Sequence, residues 1–165
     1  MSEIEKMIDE MRYEAASTAK ILERIPVDKF DWKPHQKSMS MKDLATHVAG
    51  LAEWPGLIAS TDFLDFAAGT FKHPQINNTN DLLKVNNEGL EKSVEALKKM
   101  TTDDLKKKWA LRKGDHVILE LPKYSFIRLM ALNHTYHHRA QLSVYLRLLD
   151  IPVPGIYGPS ADEMK

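Results

Sequence analysis

Apolar residues recur every three or four positions over much of the chain, and this period predicts helices. Ile4, Met7, Ile8, Met11, Ala15, Ala19 and Leu22 mark a first helix from Ser2 to about Arg24, closed by Pro26. Residues 25–39 read as a loop containing Trp32 and Pro34. Ser40, three positions before Asp43, then caps a second helix that runs from Met41 through LATHVAGLAEW. Pro55 and Gly56 should kink or break that helix, which continues to Ser60. Residues 62–78 carry no period. A third helix begins near Asn80 and reaches Met100 on a stripe of Leu82, Leu83, Val85, Leu90, Val94 and Leu97. After a short turn at TTDDL, the segments WALRK and HVILEL flank Gly114-Asp115 and form a small hairpin. Pro122 opens a fourth helix that extends to about Asp150, and the Pro- and Gly-rich IPVPGIYGPSADEMK follows as extended coil. The expected fold class is therefore all-α, a four-helix bundle forming one domain over residues 1–165 with a minor hairpin before the last helix. The 62–78 connection exceeds the roughly 2–8 residues usual in bundles, so neighbouring helices are free to run parallel.

Composition narrows the function more than the fold. Of 165 residues, 43% are hydrophobic and 28% charged, enough apolar surface to close a core. Lys+Arg and Asp+Glu balance at 23 each, which argues against a nucleic-acid partner, since phosphate binding needs concentrated basic surface. The one basic run, Lys106–Lys108, reads as a solvated turn. No apolar stretch reaches the ~20 residues of a membrane span. The acidic, amphipathic N-terminus is unlike a signal peptide, so a cytoplasmic location is expected. With no cysteine there is neither a disulfide nor a protein thiolate, and any metal site must draw on His, Asp, Glu and water.

The histidines supply the candidate chemistry. The stretch NHTYHHRAQL holds His134, His137 and His138. On a single helix Ile127, Met130, His134, His138, Gln141, Tyr145 and Leu148 share one face. His134 and His138 lie one turn apart, where two imidazoles can meet one ion at ~2.1 Å. His137 points about 100° away from His138 and stands aside. His47, on the stripe of Leu44, Val48 and Leu51, offers a third imidazole from the second helix. His35, His73 and His116 lie in loops or the hairpin. The residues alone leave two readings open: a three-histidine metal site with vacant positions, or hydrogen-bonded core histidines. HExxH, GxSxG and the ExxH arrangement of di-iron bundles are absent. Glu53, six positions after His47, falls on a different helix face at the rim. Trp54, Tyr136 and Tyr145 read as core aromatics. Gln141 buttresses the site or packs its helix, and Arg139 pairs with acidic groups or the tail rather than taking part in catalysis.

THVAGLAEW around His47, NHTYHHRAQL, the following YLRLLDIPVP and the ending IYGPSADE together resemble the DinB-like (DinB/YfiT-like) metalloenzyme family. The resemblance implies an up-down-down-up bundle, frequent homodimers, and a divalent metal of nickel, zinc or iron/manganese type on His47, His134 and His138. It further implies a small-molecule partner, with some branches transferring a low-molecular-weight thiol such as bacillithiol or mycothiol onto electrophiles. One position departs: Ala140 stands where the family's HRGQ has glycine. The readings that follow are a metal-dependent thiol S-transferase, a metal-dependent hydrolase on the same site, or a non-catalytic stress-related binding protein.

Overall fold

The structure is a computed structural model and describes residues 1–69 and 74–164. The first helix, α1 (Glu3–Leu22), starts in a capping box: the Ser2 hydroxyl accepts from Glu5 N–H and the Glu5 carboxylate accepts from Ser2 N–H. Ser40 likewise accepts from Asp43 N–H and opens α2 (Met41–Gly50). The predicted break follows as a 3-10 turn at Leu51–Glu53, after which α3 (Trp54–Ser60) carries Pro55 in its first turn, where a missing N–H costs nothing. Asn78 and Asp81 form a second capping box for α4 (Thr79–Leu97).

The expected all-α four-helix bundle is overturned by a three-stranded mixed sheet, and the fold is α+β. Phe63–Asp65 forms β1, parallel to β2 (Lys108–Lys113), and β2 pairs antiparallel with β3 (His116–Pro122). Helix α4 makes the crossover between the parallel strands, as such pairing requires. The sheet contributes to the core. Trp109 is fully buried, packs its ring 4.5 Å from that of Phe126, and donates its indole N–H to Thr61 Oγ1 at 2.9 Å. Gly114 sits at φ +60° in the hairpin turn and donates its N–H to Asp65, tying β1 to the turn. Three residues without alternation left β1 illegible in the 62–78 segment. His73 lies outside the described residues.

The predicted fourth helix is also corrected. It divides into α5 (Lys123–Phe126), a π-helical stretch at Ile127–Asn133, and α6 (His134–Leu148). The wider π turn resets the register just before His134, so the face drawn from Ile127 does not continue unchanged. Leu148, assigned to that face, is instead well exposed.

Contacts fix the helix directions. Glu10 meets Tyr136 and Glu14 meets Arg139, so α1 and α6 run the same way. Asn86 donates to Ala15 O and Thr79 to Ile25 O, so α4 opposes α1. Met39, just before α2, accepts from Tyr145, while His47 lies against His134, so α2 opposes α6. Glycines allow α3 and the preceding 3-10 turn to touch α4. A Cβ on Gly56 would come within 2.9 Å of Ser93 Cα, and one on Gly89 within 2.9 Å of Glu53 N. No helix among the described residues is long and apolar enough to cross a membrane.

Candidate metal centre

The antiparallel packing of α2 on α6 brings His47 against His134 and His138. Their ring centroids lie 4.6 to 4.8 Å apart, and one nitrogen from each falls within 4.8 Å of the others. His47 Nε2 and His134 Nε2 are 3.2 Å apart. Two nitrogens bound at ~2.1 Å to one ion, at roughly 90–110°, stand about 3.0–3.4 Å apart. The observed pair therefore already has the spacing of two ligands.

The far side of each α6 ring decides which nitrogen is available. His134 Nδ1 lies 3.3 Å from Met130 O. A carbonyl can only accept, so Nδ1 carries the proton and Nε2 keeps its lone pair. His138 Nδ1 lies 2.7 Å from Gln141 Oε1, which imposes the same tautomer. The Gln141 amide in turn donates to His137 Nε2 at 3.2 Å. Gln141 thus holds His138 in place, and the exposed His137 borders the group, its ring edge-on to that of His138 at 4.7 Å and its Nε2 accepting from Gln141. Burial, reinforced by nearby His138, holds the pKa of His134 below the usual imidazole value, which favours the neutral, ligating form. Three neutral imidazoles suit zinc, nickel and iron-type ions, and they leave a divalent ion its full charge. Among the described residues no carboxylate joins the group.

All three histidines are half-buried, so the group lies at the molecular surface rather than within the core. A separate small cleft lined by Glu14, Val48, Asn86 and Thr135 measures about 30 Å³, room for a water but not for a substrate.

Other assignments fall out directly. Arg139 pairs with Glu14 at 2.7 Å and donates to Tyr157 of the tail, so it faces away from the histidines. Glu53 is exposed and bonded to Lys92 at 2.8 Å. Trp54 and Tyr145 are buried. Tyr136 donates to Glu10, and burial together with that carboxylate raises its pKa strongly. His35 accepts from Lys37 N–H in its loop and His116 begins β3, both apart from the centre. Sequence reasoning passed over Glu14 and Tyr157. Glu14 lies on the apolar stripe of α1, three positions after Met11, and a carboxylate there demands a partner.

Similarity to known proteins agrees with this architecture. The chain is 23% identical over 160 residues to the uncharacterized protein YrdA of Bacillus subtilis, an alignment covering 97% of this chain and 91% of that one. Among solved structures, it superposes on a DinB-like protein of Bacillus subtilis, YjoA, with a TM-score of 0.71 at 19% identity, covering 94% of this chain and 99% of that one. A DinB-like protein of Bacillus cereus also gives 0.71, at 21% identity and coverages of 93% and 97%. A DinB family member from Exiguobacterium sibiricum gives 0.67, at 18% identity and coverages of 93% and 96%. The DinB family pattern matches residues 1–165, the whole chain, which therefore belongs to the DinB family.

Proposed function

We propose that His47, His134 and His138 hold a divalent metal and that the chain is a metal-dependent S-transferase, joining a low-molecular-weight thiol to an electrophilic small molecule. The observation that carries this reading is the convergence of the three imidazoles, two of them anchored through Nδ1 so that Nε2 faces the common point. A divalent ion held there supplies the positive charge that lowers the pKa of an incoming thiol toward neutrality. The chain's own part is to fix the imidazoles as neutral donors, through Met130 O and Gln141, and to leave one side of the group facing solvent. The chain has no cysteine, so the thiol must come from the substrate. In the transfer the thiol proton passes to solvent or buffer. The sulfur lone pair forms a C–S bond to the electrophilic carbon, and the leaving group departs with its bonding pair.

The test is conjugation of monochlorobimane, which releases chloride, with a panel of small thiols. The proposal expects turnover above the uncatalysed rate that disappears in His138→Ala and after chelation. A rate equal to the background with every thiol, in protein loaded with metal, counts against the transferase.

A further inference from the structure

Three glycines lie within or at the ends of helices, and only two have a structural reason to be glycine. Gly56 and Gly89 leave no room for a Cβ, because α3 touches α4 at Gly56 and the 3-10 turn Leu51–Glu53 touches α4 at Gly89. Gly50, the last residue of α2, has φ −69° and ψ −22°, a conformation open to any residue. A Cβ built on it meets nothing within 4 Å. Glycine at such a position weakens a helix relative to alanine and brings no packing gain. Its backbone is half-exposed, and the space where a side chain would stand is open.

Gly50 follows His47 by three residues, which puts the two on neighbouring lines of one helix face. Side chains on a helix lean toward its N-terminus, so the side chain of residue 50 would overhang the turn that carries His47. Asp43, Thr46 and His47 are the other partly or fully exposed residues on this side of α2. A side chain at position 50 would therefore stand over the outer approach to the three imidazoles.

We propose that Gly50 is a specificity-determining residue: its missing side chain opens the approach at His47 to an organic ligand with bulk beyond its donor atom. This rests on the metal-centre reading, and the test separates the two. Cobalt(II)-loaded wild type, Gly50→Ala and Gly50→Gln are titrated with 2-mercaptoethanol and with glutathione, followed by the visible and near-ultraviolet cobalt spectrum. The pair acetohydroxamate and benzohydroxamate repeats the size comparison with oxygen donors. The expected result is unchanged cobalt affinity in both variants and unchanged binding of the small ligand of each pair. Glutathione and benzohydroxamate should weaken in Gly50→Gln by about tenfold, with a smaller loss in Gly50→Ala. Gly50→Ala should also raise Tm by about 2 °C, since no contact opposes the added methyl. Equal binding of the bulky ligands by wild type and Gly50→Gln overturns the proposal, as does a lower Tm in Gly50→Ala. If only the hydroxamates bind wild type, the thiol reading fails and their size ratio still decides the role of Gly50. Failure of cobalt to bind wild type overturns the proposal together with the metal centre, whereas cobalt binding with every added ligand refused overturns the proposal alone.

Discussion

Replacing Glu14 by glutamine should cost far more than its small chemical change suggests. Glu14 and Arg139 are both buried, with 9% and 4% of their side chains exposed, and their charged atoms meet at 2.7 Å. Arg139 also donates to Glu14 O, to Thr18 Oγ1 and to the Tyr157 hydroxyl, and that hydroxyl donates to the Glu14 carboxylate at 2.9 Å. The charge pair is thus the knot that ties α1, α6 and the C-terminal tail. Glutamine keeps the shape but leaves the guanidinium buried without a counter-charge, and removing one partner of a buried pair costs about 3–5 kcal/mol. The remaining neutral acceptors offset part of that, which places the expectation at the lower end, about 3 kcal/mol. For a chain of this length the same loss lowers Tm by roughly 6–12 °C. Removing both charges in Glu14→Met/Arg139→Met should cost distinctly less than the sum of the single changes, because no charge is then left stranded. Urea unfolding of wild type, Glu14→Met, Arg139→Met and the double variant closes the cycle, with Glu14→Gln measured beside them. A Glu14→Gln loss under about 1 kcal/mol, or strict additivity in the double variant, would show that the buried pair does not hold α1, α6 and the tail together.

Three further outcomes follow from the same geometry. Gly89→Ala should destabilise by about 1–3 kcal/mol in thermal or urea unfolding, because its Cβ would press within 2.9 Å of Glu53 N and force α4 from the 3-10 turn. Gln141→Leu should weaken metal binding by about 10–100-fold in calorimetry while the fold holds, since His138 loses the acceptor that orients it. Asp162 is held to a pKa of about 2, first by its bond to Arg147 and then by Val153 N–H. Its folded value lies below the ordinary 3.8, so its contribution to tail docking is complete above about pH 4 and is lost as pH falls through about 2. Arg147→Ala should bring the Asp162 titration back toward 3.8, as read by carboxyl NMR.

Helical period made most of this architecture legible in the chain. It puts His134 and His138 on one face of α6 and His47 beside the apolar stripe of α2, separates His137 from that pair, and gives Gln141 the position from which it holds His138. What escaped it was non-local. Strand β1 is three residues long and finds its partner forty-odd positions later, beyond any window that reads periodicity. The π stretch at Ile127–Asn133 has the same apolar composition as an ordinary α turn, so nothing in IRLMALN announces it. The Glu14–Arg139–Tyr157 knot joins three distant segments. Only the misplaced carboxylate on the apolar stripe of α1 hinted that a buried cation must exist to meet it.

Protein purified without a histidine tag, exchanged into metal-free buffer and then titrated with zinc or nickel, is the direct measurement of the metal centre. Wild type is predicted to bind one ion per chain, and His47→Ala, His134→Ala and His138→Ala each to lose that binding while keeping the helical circular dichroism. Trace metal in wild type, unchanged across the three variants, would contradict it.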